Sequence, residues 1–294
     1  MKTELKSYIY IFISGLLWGT IGLFVKLLGQ CGSTSSYTSF LRMCLGLFLL
    51  IIITLFKEGA GAFKIGKRTL ISCMLMGLVC QAAYNLAYSN AVNEIGVAFS
   101  SVLLYTSPVF TSIISYLFFH EKMGRRKCFA LFVNVIGCAL TVTGGSFLGL
   151  SFGVPGLLFG VAAGFCYSLA PVFGRLAADE GSPFAVATYN FLFATIFLAV
   201  FTQPWTTVAH PLNLKLLAVG TGYALIPTAL AYIFYFTGLK GITESSKVPV
   251  VASVETVVAT VIGTAVFHEN LQIGNLIGIA CVLGSIVIMS GGVK

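Results

Sequence analysis

Long apolar runs follow one another along this chain, with only short polar connections between them. Ten of these runs reach the length of about 20 residues that an α-helix needs to cross the hydrocarbon core of a bilayer. The predicted spans are residues 8–28, 34–56, 69–90, 95–119, 125–145, 153–177, 183–204, 213–238, 246–267 and 271–291. The connections leave no room for a soluble domain, so the pattern predicts an all-α membrane protein with ten transmembrane helices.

Composition excludes a soluble globular protein. Only 9% of the 294 residues are charged and 57% are hydrophobic, whereas a soluble domain carries roughly 25% charged residues. The 32 glycines and 13% aromatic residues fit close-packed membrane helices better than a β-barrel, whose strands alternate polar and apolar residues. The net charge is +8. The charged residues lie between the apolar runs, so they indicate orientation in the membrane, and no nucleic-acid partner is needed to explain them.

Lysine and arginine residues lie almost entirely on one side of the predicted membrane. If the first residue is cytoplasmic, Lys26 and Lys215 lie outside and Arg42 lies within the second span. The other fourteen of the seventeen are inside, at positions 2, 6, 57, 64, 67, 68, 122, 125, 126, 127, 175, 240, 247 and 294. Because cytoplasmic loops are enriched in these residues, we expect a multi-pass protein of the bacterial cytoplasmic (inner) membrane with both termini cytoplasmic.

A motif repeated at half the chain length indicates an internal duplication. The fourth span closes with His120-Glu121 and the ninth with His268-Glu269, 148 residues later. Five spans per half is an odd number, so the second copy must enter the membrane in the opposite orientation. We therefore expect two inverted five-helix repeats, residues 1–147 and 148–294, an organisation typical of transporters.

Further matches stand at nearly the same offset. Gly15, Trp18 and Lys26 align with Gly164, Tyr167 and Arg175, and Tyr88 aligns with Tyr235. The opening span of each half carries a pair of glycines four residues apart, Gly15/Gly19 and Gly160/Gly164. Such pairs predict close helix contact.

Several short motifs carry a resemblance to a known family. They are Gly15-x-x-Trp18-Gly19, Leu41-Arg42, Ser107-Pro108-Val109, Val254-Glu255-Thr256, the two His-Glu pairs and Gly274-x-x-x-Gly278. Together with the spans they resemble the EamA family of the drug/metabolite transporter superfamily, over essentially the whole chain. The resemblance implies a carrier of small metabolites that works by alternating access, and it names no substrate. The family often has a proline where this chain has Thr256, so the resemblance does not decide whether the ninth helix is kinked.

Glu255 is the most informative single residue. It lies about twelve residues before the end of the ninth span, near the predicted bilayer midplane, where an unpaired carboxylate is costly. Desolvation disfavours its charged form, so we expect it to bind protons readily. Glu255 is therefore the candidate coupling residue and a candidate anchor for a substrate amine. The alternative is a structural carboxyl group, either neutral or paired with Arg42 or Lys247.

Polar and aromatic side chains on several spans predict an aromatic cavity. Gln81, Tyr84, Asn85 and Tyr88 form one face of the third span, and such a stripe should face a cavity or another helix rather than lipid. The candidate substrate-binding residues are Trp18, Gln81, Tyr84, Asn85, Tyr88, Tyr105, Ser107, Tyr167, Ser168, Tyr232, Tyr235 and Glu255. A cavity of this kind suits an amphipathic metabolite such as an amino acid. The alternative is that the tyrosines only pack or lie at the membrane interfaces.

Six residues are candidates for structural or gating roles. Pro108 removes a backbone hydrogen bond and should bend the fourth span. Arg42 is expected to bond freed carbonyls or a lipid headgroup, with substrate contact as the alternative. The two His-Glu pairs should cap their helices and contact gate loops: His120, Glu121, His268 and Glu269. We predict no metal, cofactor or catalytic residue, because the sequence lacks a His/Cys cluster and nucleotide-binding or nucleophile motifs.

These observations together favour a secondary active transporter that moves a small metabolite across the membrane. The family resemblance favours export of an amino acid or similar amphipathic compound, and Glu255 is the candidate residue for proton coupling. An uptake carrier for a vitamin or other metabolite is the alternative within transport. An intramembrane lipid-modifying enzyme is the alternative from another class, and it would need clustered His, Asp or Glu near one interface. The expected partners are the substrate and membrane lipids, with the chain acting as a monomer or weak homodimer.

Overall fold

The computed structural model describes residues 2–146, 153–178, 180–206 and 214–290. Within these ranges every regular element is helical. Nine described helices are long and apolar enough to cross a membrane, and a shorter apolar helix spans Ser107–Phe119. The longest, Lys67–Leu104, contains a sharp turn at Gly96, where φ is +79°. It therefore divides into two spans, and the predicted ten-helix membrane protein is confirmed.

Six of the ten spans change their helical geometry or break within the membrane. Span α1 consists of Lys2–Trp18 and Ile21–Gln30. Span α3 consists of Lys67–Leu75, the π-helical Met76–Ala83 and residues 84–95. Span α4 consists of residues 97–104 and Ser107–Phe119. Span α6 consists of Val154–Ser168 and Ala170–Ala178. Span α8 consists of Leu214–Ala224, the π-helical Leu225–Leu230 and Ala231–Leu239. Span α9 consists of Val248–Ala252 and Val254–Phe267. A 3₁₀ turn, Ser245–Lys247, leads into α9.

The other four spans are continuous helices. They are α2 (Ser35–Glu58), α5 (Arg125–Thr143), α7 (Pro183–Thr202) and α10 (Ile273–Ser290). In the packed structure α2 lies along α7 and α5 lies along α10, so each continuous pair joins the two halves of the chain. The interrupted helices also pair in a matching way, α1 with α8 and α9, and α6 with α3 and α4.

The interruptions recur at equivalent positions of the two halves. The break in α4 at Tyr105 is matched 148 residues later by the break in α9 at Ser253. The π-helical segment of α3 is likewise matched by that of α8. The fold therefore consists of two inverted five-helix repeats, as the His-Glu pairs predict. The expected boundary at residues 147 and 148 lies outside the described residues.

A proline follows the break in α4, but none stands at the equivalent position of α9. Pro108 stands in the first turn of the second segment of α4, a position where its missing N–H costs no hydrogen bond. The fourth span thus breaks within one turn before Pro108, at Tyr105, which is where a proline interrupts a helix. In α9 the break at Ser253 forms although Thr256 replaces the proline. The hydroxyl and backbone N–H of Thr256 both donate to the Ser253 carbonyl, at 2.9 and 3.0 Å.

Glycines bring the interrupted helices into close contact. A Cβ atom on Gly15 of α1 would lie 2.6 Å from the carbonyl oxygen of Ala252, next to the break in α9. A Cβ atom on Gly164 of α6 would lie 2.8 Å from the carbonyl oxygen of Leu103, next to the break in α4. A side chain at either position would push the helices apart. The close contact predicted for the two glycine pairs is confirmed.

We predict that Gly278→Ala destabilises the seam between α5 and α10. The added methyl group would meet the backbone nitrogen of Thr141 at 2.4 Å and the carbonyl oxygen of Gly137 at 2.8 Å. Overpacking of this kind costs about 1–3 kcal/mol, so the Tm in detergent should fall by several degrees. The matched control is Gly284→Ala in the same helix, where nothing lies within 4 Å of the added atom. That variant should keep or slightly raise the Tm, and equal Tm values for both variants would contradict the prediction.

Candidate functional site

A cavity of about 490 Å³ lies between the interrupted helices. All six of them contribute to its walls, with additions from α2, α5 and the start of α10. Its mouth is formed by residues at the end of α1 and around the α9–α10 connection, Lys26, Phe267, Glu269, Asn270 and Leu271. The volume lies within the range of about 300–1,000 Å³ that is typical of small-molecule sites.

The course of α1 shows at which end the cavity opens. Near its start, the carboxylate of Glu4 accepts a hydrogen bond from Thr243 at 3.0 Å, and near its end Lys26 pairs with Glu269 at 3.1 Å. The 22 residues between positions 4 and 26 correspond to about 33 Å of helix. Glu121 accepts a hydrogen bond from the N–H of Ser245, two residues after Thr243, so it lies at the same end as the start of α1. We call this the Glu121 end and the opposite one the Glu269 end. The cavity opens at the Glu269 end.

Eight of the twelve candidate substrate-binding residues line this cavity. They are Trp18, Gln81, Tyr84, Tyr88, Tyr105, Tyr167, Tyr232 and Glu255. The residues come from α1, α3, α4, α6, α8 and α9, and they include three of the four residues of the polar stripe predicted on the third span. The structure thus brings together side chains that are up to 237 positions apart in the sequence.

Four candidates lie elsewhere. The Asn85 side chain donates to the carbonyl oxygen of Gln81 in its own helix at 2.7 Å, and the Ser168 hydroxyl donates to the carbonyl oxygen of Phe165 at 2.6 Å. Ser107 is buried in the first turn of the second α4 segment. Tyr235 lines a second cavity of about 30 Å³ on the far side of the aromatic residues that close the large one.

Glu255 stands in the first turn of the α9 segment that follows the break at Ser253. It is half-buried in the cavity wall. Its electrostatic partners are the Tyr105 hydroxyl, which hydrogen-bonds to it, and the Arg42 guanidinium. Lys247, the other cation considered for it, pairs with Glu244 at 3.3 Å. Because the N-terminus of a helix favours a negative charge, the break places Glu255 where a carboxylate is tolerated within the membrane.

Arg42 is buried and lines the same cavity. Its Nε donates to the Thr228 hydroxyl at 3.0 Å, and that hydroxyl donates to the carbonyl oxygen of Tyr223, also at 3.0 Å. The guanidinium carbon lies 5.2 Å from the centre of the Tyr223 ring. Arg42 therefore contacts the π-helical segment of α8 through the Thr228 hydroxyl.

An aromatic cluster separates the two cavities. Trp18 packs on Tyr232 and Tyr235 at centroid distances of 5.2 and 5.1 Å, and Gln81 donates to the Tyr232 hydroxyl at 2.6 Å. Trp18, Gln81 and Tyr232 line both cavities. The buried indole Nε1 of Trp18 has no hydrogen-bond partner in the part of the chain that the structure describes. A buried donor without a partner is available to a bound ligand.

Glu121 closes the opposite end of the bundle. Its side chain is 4% exposed. One carboxylate oxygen accepts the Ser245 N–H at 2.7 Å, and the other accepts the N–H of Ser246 at 3.2 Å together with the Ser246 hydroxyl. Arg175 and Lys127 pair with the same carboxylate at 3.1 and 3.5 Å. Ser245 and Ser246 were not among the predicted site residues, although a serine pair just before an apolar helix is a recognisable signal for a helix start.

Glu269 has a much more open environment. Its side chain is 61% exposed and pairs with Lys26 at 3.1 Å. His268 ends α9 in the left-handed conformation with φ +54°, as His120 ends α4 with φ +52°. His120 and His268 thus occupy the C-cap positions of α4 and α9, and each glutamate follows directly.

We predict that Glu244 makes stability at the Glu121 end depend on pH. Burial raises the pKa of Glu244, but hydrogen bonds and charges from Lys127 and Lys247 outweigh it, so the pKa lies below its usual value of 4.5. The ionised carboxylate therefore stabilises the folded chain above that value, and the contribution is lost as the pH falls through the lower folded pKa. Glu244→Gln should have a lower Tm than the wild type at pH 7, and the difference should shrink below about pH 4.5. A difference that stays constant down to about pH 3 would contradict this.

The comparisons with known proteins agree with this geometry. The sequence model of the EamA-like transporter family matches residues 5–143 and 154–291. An uncharacterized transporter of Archaeoglobus fulgidus is 28% identical over 278 residues, covering 95% of this chain and 94% of the relative. The uncharacterized transporter YwfM of Bacillus subtilis is 21% identical over 292 residues, covering 99% and 95%.

Two further proteins are similar to this chain. The pseudopaline exporter CntI of Pseudomonas aeruginosa is 30% identical over 187 residues, 62% of this chain and 62% of the relative. A protein of known crystal structure superposes with a TM-score of 0.80 at 18% identity, covering 97% of this chain and 96% of the other. At that identity the likeness shows a shared fold.

Proposed function

Since this chain belongs to the EamA-like transporter family and is a multi-pass membrane transporter, we propose that it exports an amino acid, or a compound derived from one, by proton-coupled alternating access. The observation that carries the proposal is the pair of opposite charges in the cavity wall. Glu255 and Arg42 line one cavity whose remaining walls are largely aromatic. A zwitterion offers an ammonium group to the first and a carboxylate to the second.

Each charged residue suits its proposed partner. Guanidinium groups bind carboxylates with two parallel hydrogen bonds, and the hydrogen bond from Arg42 to Thr228 uses its Nε. The Glu255 carboxylate lies near Tyr105, and aromatic faces such as that of Trp18 attract an ammonium group as well. The tyrosines then supply apolar surface with hydroxyl groups at its edge, which suits an amphipathic side chain.

Proton coupling follows from competition for one carboxylate. A substrate ammonium group and a proton both neutralise Glu255, so one displaces the other. The lysine and arginine distribution places the Glu269 end outside, which makes the described conformation open to the exterior. A proton that enters there binds Glu255 and releases the substrate outwards, and return of the protonated carrier brings the proton inside. The relative named as a pseudopaline exporter supports the outward direction; uptake would use the same site in reverse.

We predict that Glu255→Gln uncouples transport from the proton gradient. Proteoliposomes should be assayed with a panel of amino acids and other metabolites, with and without an imposed pH gradient. The wild type should show gradient-driven flux, and the variant should lose it while keeping binding or exchange of a substrate that does not depend on the Glu255 charge. Glu58→Gln, at an exposed acid at the end of α2, is the matched control and should behave as wild type. Unchanged flux in Glu255→Gln would make this residue structural.

We predict that Trp18→Phe weakens substrate binding. The phenyl ring keeps most of the contact with Tyr232 and Tyr235 but removes the unpartnered Nε1–H. Loss of one hydrogen bond to a charged substrate group is worth about 1.5–3 kcal/mol, so the KM should rise by about tenfold or more with a smaller change in kcat. The Tm serves as the folding control. An unchanged KM would show that the indole N–H does not contact the substrate.

A further inference from the structure

We propose that Glu269 is the latch of the outer gate, and that it closes on the backbone N–H groups of Val97 and Ala98 at the start of α4. This inference rests on the proposed alternating-access function and assigns a gate to each end of the same pathway. The described structure shows the inner latch closed and the outer one open. The outer contact is derived from the inner one through the inverted repeat.

The closed latch at the Glu121 end shows what the contact consists of. Glu121 follows α4, and its carboxylate receives the N–H groups of Ser245 and Ser246 where the chain enters α9. Arg175 of α6 holds the same carboxylate and lies with its guanidinium carbon 4.5 Å from the Phe119 ring centre. The contact therefore joins the end of α4, the start of α9 and the end of α6, and this closes the inner end of the cavity.

The Glu269 end carries the same parts in the same order. Glu269 follows α9, and Lys26 at the end of α1 pairs with it at 3.1 Å. Lys26 Nζ lies 3.8 Å from the centre of the Phe267 ring. The backbone matches as well, since the N–H of Glu121 donates to the Ser115 carbonyl at 3.3 Å and that of Glu269 to the Gly263 carbonyl at 3.1 Å. What differs is that Glu269 is 61% exposed and Glu121 is 4% exposed.

The missing partner can be located by the repeat offset. Glu121 and Glu269 are 148 residues apart, and the same offset carries Ser245 and Ser246 back to Val97 and Ala98. Val97 and Ala98 begin the first helical segment of α4, because Gly96 before them has φ +79° and interrupts the helix. Val97 is 62% exposed and lines the mouth of the cavity. Closure therefore needs only that the start of α4 approach Glu269, which buries Val97 and seals the mouth.

The two latches differ in strength, which explains why the outer one is open. In the inner latch, Ser245 and Ser246 stand where the outer one has Val97 and Ala98. Lys127 of the inner latch corresponds to Asn275, and Glu244 corresponds to Gly96. The outer latch thus lacks a hydroxyl donor of the kind that Ser246 supplies, and it lacks the second cation. With fewer charge-assisted hydrogen bonds, it is the weaker of the two, so the carrier rests with its outer end open.

The test measures how often the inner end opens. Ala170 lines the small cavity on the inner side of the aromatic cluster, so a cysteine there should react with an impermeant maleimide from the inside only when the inner end is open. The eight native cysteines are replaced, and labelling of Ala170→Cys is followed in inside-out vesicles. Because an open inner end requires a closed outer latch, variants of the outer latch should change this rate.

Three variants at the start of α4 separate the N–H group from the side chain. Val97→Pro removes the N–H at a first helical position, where proline is tolerated, and the Gly96 ψ of 165° suits a following proline. It should lower the labelling rate by about tenfold, whereas Val97→Ala, which keeps the N–H and loses only part of the side chain that closure buries, should lower it much less. Ala98→Ser adds the hydroxyl that Ser246 has and should raise the rate. Equal rates for Val97→Pro and Val97→Ala, or no effect of Ala98→Ser, would overturn the proposal.

Cysteine cross-linking tests the contact directly and guards against misfolded variants. The pair Glu269→Cys with Val97→Cys should cross-link only in the outer-closed state, and Glu121→Cys with Ser245→Cys only in the inner-closed state. In a chain carrying both pairs, each cross-link should exclude the other. Simultaneous formation of both, or failure of the outer pair in a chain whose inner end still opens, would refute the outer latch.

Failure of the latch and failure of the proposed function give different results, because neither readout needs a substrate. A chain that opens alternately at its two ends but moves no compound of the panel supports the latch and rejects the proposed substrate class. A chain that transports normally, with labelling indifferent to residues 97, 98 and 269, retains the function and rejects the latch.

Discussion

A broken helix inside a membrane must find new partners for its freed backbone groups, because the hydrocarbon offers none. The rest of this structure depends on how that requirement is met. At the break in α9, the Ser253 hydroxyl donates to the Val250 carbonyl at 2.6 Å and accepts from Asn134 of α5 at 2.7 Å. In α8 the Thr228 hydroxyl bonds the Tyr223 carbonyl and is held by Arg42. Continuous helices thus support the broken ones, and the broken ones leave a cavity between them.

This arrangement also explains where the charges of the cavity lie. Glu255 stands directly after the break that Asn134 supports, and Arg42 belongs to the helix that supports the π-helical segment. Each charge is therefore tied to an irregular segment of backbone, where partial charges of the peptide groups offset part of its desolvation cost. Movement of either segment would alter the surroundings of the charge beside it. Binding at this site and rearrangement of the helices are for that reason expected to influence each other.

The sequence predicted the features that depend on hydrophobicity and on the repeat. The ten spans, the inverted halves, the glycine contacts and eight cavity residues follow from the spacing of apolar, small and polar side chains. The break at Ser253 could not be predicted in the same way, because no proline follows it at position 256 and its stability comes from residues such as Asn134, 119 positions away. Asn85 and Ser168 share a helix with cavity residues, but each bonds its own backbone. The outcome depends on local hydrogen bonds that spacing does not reveal.

The pairing of continuous helices across the repeats has a consequence for how the protein is made. The ribosome completes α5 long before α10 exists. The hydrogen bonds from Asn134 to Ser253 and Ser285 can therefore form only after the second half has been synthesised. In the same way Arg42 is synthesised 186 residues ahead of Thr228. The first five helices therefore enter the membrane with buried polar groups unmatched, and only the arrival of the last helices satisfies them. Stable assembly is for this reason a late event in biogenesis, in which the nascent half remains dependent on the insertion machinery.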